Sequence, residues 1–145
     1  MKIYFAADHA GFNLKETLIK DFTSFNYEII DCGAFQLMPL DDYPDFIIPA
    51  AKKVVKDIGS VGIIIGGSGQ GEAMAANRIK GARAAVYYGG PIEIVKLSKL
   101  HNNANILSLG ARFISENDAI KVVKLWLLEK FEGGRHSNRI AKLDI

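Results

Sequence analysis

The sequence has 145 residues, of which 49% are hydrophobic and 23% are charged, and its formal net charge is +2 at pH 7. This size and composition predict one soluble domain, and they exclude both the basic surface of a nucleic-acid-binding protein and a membrane-spanning segment. Asp8 interrupts the short apolar run at the N-terminus, so no signal peptide is expected. The single cysteine, Cys32, cannot form an intramolecular disulfide. These features predict a cytoplasmic protein that binds neither nucleic acid nor membrane.

Apolar runs and helical patterns alternate along the first part of the chain. Lys2–Ala7 predicts a buried strand, and Phe12–Phe25 predicts a helix with one apolar stripe. A short strand is predicted at Tyr27–Ile30, followed by a loop and by a second helix over Pro44–Asp57. Pro49 lacks a backbone donor, so we expect the regular part of this second helix to begin there or to bend.

The same alternation continues to the end of the chain. Three more strands are predicted, each followed by a helix, at Val61–Ile65, Ala82–Tyr87 and Asn105–Leu109. We expect the three helices to end near Ile79, near His101 and at Gly133, and Ser115 to cap the last of them. Five such alternations predict a Rossmann-like three-layer α/β/α sandwich around a mainly parallel, five-stranded sheet.

A glycine-rich loop joins the third strand to its helix. The segment Val61–Asn77 contains five glycines, which allow a ligand to approach the main chain closely, and unpaired amides at the helix start attract an anion. The dinucleotide-binding pattern G-x-G-x-x-G/A is not completed in this loop. The P-loop of nucleoside triphosphatases would need Lys and then Ser or Thr where the chain has Glu72 and Ala73. The loop therefore predicts a small anion or oxyanion held by amides beside a carboxylate.

Parallel α/β sheets bind ligands beyond the carboxyl ends of their strands. The residues predicted at those ends are Asp8, His9, Gly66–Glu72 and Gly110–Arg112. Each has a structural alternative when taken singly: Asp8 is a suitable N-cap for the first helix, and Glu72 complements a helix dipole. Their coincidence at one end of the sheet favours an enzyme.

Seven short blocks, at consistent spacing and covering nearly the whole chain, resemble ribose-5-phosphate isomerase type B, a family that includes galactose-6-phosphate isomerase subunits. They are Asp8-His9-Ala10-Gly11, Asp31-Cys32-Gly33, Asp42-Tyr43-Pro44, the glycine loop with Ala75-Ala76-Asn77, His101-Asn102, Leu109-Gly110-Ala111-Arg112 and Gly134-Arg135-His136. Some members have a cysteine base at the position of Gly66. This chain resembles instead the branch whose loop reads G-G-S-G-x-G-E, in which the glutamate is the base.

The resemblance implies interconversion of ribose 5-phosphate and ribulose 5-phosphate without a metal or an organic cofactor. It also implies a homodimer or a dimer of dimers with active sites shared between subunits. We therefore expect residues 1–145 to form a single sugar-phosphate isomerase domain whose C-terminal tail, residues 131–145, reaches the partner subunit. No His, Cys and Asp residues have metal-ligand spacing in the sequence, so no metal site is expected.

The resemblance makes Glu72 the base and His101 the acid–base group for ring opening, and Ser68 is a candidate for passing hydroxyl protons. Predicted substrate-binding residues are Asp8, His9, Tyr43, Gly67, Gly69, Gln70, Gly71, Asn102, Arg112, Arg135 and Arg139. Three alternatives remain open: an isomerase of galactose 6-phosphate or allose 6-phosphate, a non-catalytic phosphosugar-binding module, and a flavodoxin-like electron carrier.

Overall fold

The computed structural model describes Met1–Ile145 and contains a five-stranded, entirely parallel sheet with helices on both faces. The elements are β1 (Lys2–Ala7), α1 (Phe12–Thr23), β2 (Glu28–Asp31), α2 (Pro44–Lys56), β3 (Val61–Gly66), α3 (Gln70–Ala76), β4 (Ala84–Tyr87), α4 (Glu93–Leu100), β5 (Ile106–Gly110), α5 (Glu116–Leu128) and α6 (Arg135–Ile140). The predicted three-layer sandwich is therefore confirmed. None of its helices has the length and apolar character needed to cross a bilayer.

The strand order is β2-β1-β3-β5-β4. The chain leaves β1 towards β2 on one side and then continues to β3 on the other side. The crossover direction reverses between β1 and β3, and such a reversal leaves a crevice at the carboxyl ends of the two strands. Ala7 pairs with Ile65, and Gly66 pairs with Gly110, so the ends of β1, β3 and β5 lie side by side.

Each face of the sheet has its own apolar core. On one face, α1, α4 and α5 pack on the sheet around the fully buried Phe5, Phe22 and Trp126. On the other face, α2 and α3 pack around Ile47 and Ile64. Because both faces are covered, the central strand β3 is apolar or glycine at every position, as expected for a buried parallel strand.

Several element boundaries differ from those predicted. The helix α2 continues through Pro49, because this proline is exposed and the carbonyl that its missing N–H would bind belongs to the exposed Asp45. The strand β4 begins at Ala84, where the Asn77 side chain bonds both the N–H and the carbonyl of that residue. The cap at Ser115 is confirmed, since its hydroxyl accepts a hydrogen bond from Asp118 N.

The last core helix, α5, ends at Leu128, before the predicted stop at Gly133. The chain then crosses to the end of α4, where Glu132 N donates to Leu100 O. The final residues remain at the amino end of the sheet, and Asp144 Oδ1 accepts a hydrogen bond from Gly81 N. The tail therefore packs at the opposite end of the sheet from the crevice between β1 and β3.

Candidate active site

A cleft of about 250 Å³ opens at the carboxyl ends of β1 and β3. Nine residues line it: Asp8, His9, Ala10, Tyr43, Gly67, Ser68, Gly71, Glu72 and Arg112. All except Ala10 are predicted site residues. Larger clefts of about 390 and 540 Å³ lie elsewhere, one beside β4 and one at the amino end of the sheet. Volume alone therefore does not select the site; the convergence of acidic, basic and hydroxyl groups on one cleft does.

Glu72 lies in the first turn of α3 and is 4% exposed. Burial raises the pKa of the Glu72 carboxyl, a hydrogen bond from its own backbone N–H opposes this shift, and the negative charge of Asp8 adds to it. The effect of burial outweighs the stabilisation that the start of a helix gives to an anion. A carboxyl with a raised pKa in a partly closed cleft is suited to act as a general base near neutral pH.

The glycines of the loop allow neighbouring groups to approach the backbone. Gly69, the N-cap of α3, has a φ of 77° and packs on the Leu109 backbone. Its carbonyl accepts a hydrogen bond of 2.6 Å from Ser108 Oγ. The ring of Tyr43 packs over Gly71, and the guanidinium of Arg112 lies over Gly67. A side chain at position 67 or 71 would meet these groups, so the glycines admit Tyr43 and Arg112 to the cleft.

Asp8 has a structural role as well as a place in the cleft. Its Oδ1 accepts hydrogen bonds from Ala10 N at 2.9 Å and from Gly11 N at 3.2 Å. Asp8 is 6% exposed, and its carboxylate therefore holds the turn that leads into α1. The N-cap of α1 is Gly11 and not Asp8, so the alternative that Asp8 caps the helix itself is wrong; Asp8 also lines the cleft.

Asp41 belongs to the candidate site but was not selected from the sequence. Its Oδ1 accepts a 2.8 Å hydrogen bond from the His9 backbone N–H and lies 2.7 Å from His9 Nδ1. The hydrogen bond that the His9 side chain donates to Asp41 raises the pKa of His9 in spite of the opposing effect of burial. The signal in the sequence was the acidic pair Asp41-Asp42 directly before Tyr43, but only the folded loop shows which carboxylate reaches His9.

Three other groups in the cleft have hydrogen-bonding capacity to spare. Ser68 Oγ accepts a 3.3 Å bond from Gln70 N, so its hydroxyl hydrogen remains free to donate. The hydroxyl of Tyr43 has no hydrogen bond, and the Arg112 guanidinium has neither a hydrogen bond nor an ion pair within the chain. The cleft thus contains free donors together with the carboxylates of Asp8 and Glu72.

Six predicted site residues lie outside this cleft: Gly69, Gln70, His101, Asn102, Arg135 and Arg139. Gly69 is buried beneath the loop, and the exposed Gln70 lines a separate groove beside Met74. The other four lie at the amino end of the sheet, because α4 runs back from the end of β4 before it reaches His101. One chain therefore does not bring His101 to Glu72.

The residues at the amino end form a cluster of their own. The His101 ring stacks on the His136 ring, with centroids 4.3 Å apart and an interplanar angle of 12°. Glu132 Oε2 lies 3.8 Å from Nε2 of each histidine. Arg135 and Arg139 are exposed, lie four residues apart in α6 and have no carboxylate within ion-pair distance. The cluster is strongly basic on its solvent side.

The spacing of His, Cys and Asp residues along the sequence indicates no metal site, but the fold brings two sets of possible ligands together. Two sets place one donor atom of each member within 4.8 Å of the others: His101–Glu132–His136 and Asp8–His9–Asp41. In each set one residue is remote in sequence from the other two, so spacing along the chain could not indicate either set.

A family model described as Ribose/Galactose Isomerase matches residues 3–143. Ribose-5-phosphate isomerase B of Mycobacterium leprae is 40% identical over 141 residues, which cover 97% of this chain and 86% of that protein. The structure of ribose-5-phosphate isomerase B from Mycoplasma genitalium with bound ribulose-5-phosphate has a TM-score of 0.93 and 38% identity, covering 98% of this chain and 93% of its own. The Clostridium thermocellum ribose-5-phosphate isomerase B has a TM-score of 0.93 and 39% identity, covering 99% and 95%. The chain therefore belongs to the ribose/galactose isomerase family.

Proposed function

We propose that this chain is an aldose–ketose isomerase that interconverts D-ribose 5-phosphate and D-ribulose 5-phosphate through an enediolate. The observation that carries the proposal is the buried carboxyl of Glu72 beside the backbone amides of the glycine loop. The similarity to relatives named ribose-5-phosphate isomerase B, one of them with bound ribulose-5-phosphate, supports the pentose as substrate. Such a reaction belongs to pentose phosphate metabolism.

Glu72 removes the proton from C2 of the open-chain aldose, which converts the carbonyl oxygen O1 into the enediolate oxygen. The hydroxyl proton of O2 passes to O1, a transfer for which the free hydroxyl of Ser68 is suited, and Glu72 returns its proton to C1 as the C2 carbonyl forms. The amides of Gly67–Gly71 stabilise the negative charge on the enediolate oxygen, a contact typically worth about 3–4 kcal/mol per donor. Gln70 N already bonds to Ser68 Oγ and contributes least. Because these amides supply the charge stabilisation, the reaction requires no metal ion.

The charges of the cleft fit the two ends of a sugar phosphate. Asp8 and Tyr43 present a carboxylate and a free hydroxyl for the sugar hydroxyl groups. His9, whose pKa is raised, and the unpaired Arg112 provide positive charge for the phosphate. The substrate therefore lies with its carbonyl carbon near Glu72 and its phosphate towards His9 and Arg112.

Ring opening needs a further acid–base group, and we assign it to His101 of a neighbouring subunit. His101, Asn102, Arg135 and Arg139 cluster at the amino end of their own chain, and the two arginines have no anionic partner there. Large apolar side chains that stay exposed, Met74, Tyr88 and Phe113, lie close to the carboxyl ends of the strands and support an interface on that side.

In this arrangement the chain is a single domain whose tail, residues 131–145, completes the partner's cleft in a homodimer or a dimer of dimers. A second subunit would also exclude water from Glu72 and so favour proton transfer. We place the enzyme in the cytoplasm, in keeping with its single, half-buried thiol at Cys32.

The family description also includes galactose isomerases, so a six-carbon sugar phosphate is the competing substrate. The test compares turnover of ribose 5-phosphate, allose 6-phosphate and galactose 6-phosphate by the same preparation, with and without EDTA. We expect the pentose phosphate to have the highest kcat/KM and activity to survive the chelator. Faster turnover of a six-carbon substrate would overturn the assignment of the substrate, and loss of activity in EDTA would overturn the metal-free mechanism.

A further inference from the structure

The cluster at the amino end of the sheet contains three side chains whose donor atoms converge. Nε2 of His101 and Nε2 of His136 each lie 3.8 Å from Glu132 Oε2, and all three atoms lie within 4.8 Å of one another. A point equidistant from them is at most about 2.5 Å from each atom, close to the roughly 2.0–2.2 Å of zinc–nitrogen and zinc–oxygen bonds. The space between these side chains has the size of a metal ion.

We infer that His101, Glu132 and His136 bind a Zn²⁺ ion and that this ion inhibits the enzyme. Two imidazoles and one carboxylate form a donor set typical of three-ligand zinc sites, in which water takes the fourth position. Mg²⁺ and Ca²⁺ prefer oxygen ligands and are excluded by the same donors. The exposed side of Glu132 leaves room for that water.

The donor atoms of this cluster are free to bind an ion. None of the three side chains makes a hydrogen bond in the chain, and the 3.8 Å contacts are too long to be hydrogen bonds. In the set Asp8–His9–Asp41, by contrast, His9 Nδ1 is already paired with Asp41 Oδ1 at 2.7 Å, although Asp41 Oδ2 has no partner.

One movement is needed to complete the site. The two imidazole rings are nearly parallel, with an interplanar angle of 12°. The lone pairs of their nitrogens lie in the ring planes and therefore do not both point at one ion. The side chain of His136 is 9% exposed and that of His101 is 38% exposed, so His101 is the ring that turns about its Cβ–Cγ bond to face the ion. Zn²⁺ would then hold the end of α4 against the turn that begins α6.

The inhibitory part of the inference rests on the proposed function, in which His101 acts as the acid–base group of ring opening. An imidazole whose Nε2 is bound to zinc cannot exchange a proton there. The binding part rests on the donor geometry alone and holds whatever the chain catalyses. The two parts therefore need separate readouts.

The test uses the full-length chain and two variants, Glu132→Gln and the control Glu129→Gln, which removes a carboxylate three residues away that faces Lys96. Calorimetric titration with Zn²⁺ and visible absorption of the Co²⁺-loaded protein report binding. We expect the wild type and Glu129→Gln to bind one ion per chain. Glu132→Gln should bind Zn²⁺ more than about tenfold more weakly, since even loss of an outer-shell partner commonly costs that much.

Isomerase assays with increasing Zn²⁺ then report inhibition. Wild type and Glu129→Gln should lose activity over the range in which calorimetry shows binding, whereas Glu132→Gln should retain activity there. Equal Zn²⁺ affinity of Glu132→Gln and wild type, or no binding to wild type, would overturn the site. Binding without inhibition of an active isomerase would overturn only the inhibitory part. A chain that binds Zn²⁺ but isomerises no sugar phosphate would contradict the proposed function and leave the site intact.

Discussion

The carboxyl group of Glu72 lies directly against the backbone of Gly66, in the space that a side chain at position 66 would occupy. The family branch with a cysteine base carries its reactive group at the position of Gly66. In this chain the same region of the cleft is filled from the first turn of α3 instead. A side chain at position 66 and the glutamate side chain at position 72 would occupy the same space. The glycine at the end of β3 and Glu72 are therefore physically coupled.

This coupling can be measured as a double-mutant cycle. Gly66→Ala should destabilise the protein, since the new methyl group forces the Glu72 carboxyl out of its place. In the Glu72→Ala background the space is free, so the same substitution should cost little, giving a coupling free energy of about 1–3 kcal/mol. Denaturant unfolding of the four proteins measures it. Additive effects of the two substitutions would show that the groups do not compete for one space.

The negative charge of Asp8 contributes to the raised pKa of Glu72, and its removal should be visible in the pH dependence of activity. Glu72 must be ionised to act as a base, so kcat/KM rises as the pH passes the pKa of Glu72. Asp8→Asn should lower that pKa and move the acid limb of the profile to lower pH, although kcat/KM itself falls because a substrate contact is lost. Tyr43→Phe, an uncharged change in the same cleft, should leave the limb in place. An unmoved limb in Asp8→Asn would contradict the electrostatic coupling.

Asp41 holds His9 through two contacts and raises its pKa, so Asp41→Asn should weaken the phosphate end of the site. With the pKa of His9 lowered, the imidazolium loses its proton at a lower pH. We expect KM for ribose 5-phosphate to increase several-fold at neutral pH while kcat changes less, and the increase to shrink as the pH falls. The control is Asp42→Asn, because the side chain of Asp42 is exposed and makes no hydrogen bond. Equal KM values for the two variants would remove Asp41 from the site.

A site shared between subunits makes a quantitative prediction for mixed oligomers. Glu72→Gln and His101→Asn should each be nearly inactive alone. After mixing under conditions that exchange subunits, half of the dimers are hybrids, and each hybrid has one site with both groups intact. Activity should therefore recover to about one quarter of the wild-type value. No recovery after confirmed exchange would place His101 and Glu72 of one site on one chain.

The sequence predicted the cleft better than the cluster at the other end of the sheet. Asp8, Ser68, Glu72 and Arg112 follow largely apolar, buried strands, and parallel strands bring their carboxyl ends together whatever the details of packing. No such rule applies to Asp41, whose approach to His9 depends on the path of the twelve-residue loop between β2 and α2. The sequence therefore predicts this loop but does not predict which of its carboxylates contacts His9.

The tail shows a second limit of sequence reasoning. Arg135 and Arg139 are predicted substrate-binding residues, and they lie four residues apart in α6. The helix α5 ends at Leu128, and Glu132 N then donates a hydrogen bond to Leu100 O. These two features turn the tail towards the amino end of the sheet, so both arginines lie far from Glu72 of the same chain. Local propensity does not encode such a tertiary contact. The stacked pair His101 and His136 is equally a product of that turn.

The central claim is that Glu72 is the base of an isomerase rather than a structural carboxyl at a helix start. Its most direct test is the comparison of wild type and Glu72→Gln for both turnover and binding of ribose 5-phosphate. Gln keeps the size and the polar contacts of the side chain but cannot accept the proton. We therefore expect kcat to fall by at least about 1,000-fold, the middle of the range for general acid–base catalysis. The calorimetric Kd for ribose 5-phosphate should stay within a few-fold of the wild-type value. Retained turnover in Glu72→Gln would contradict the account.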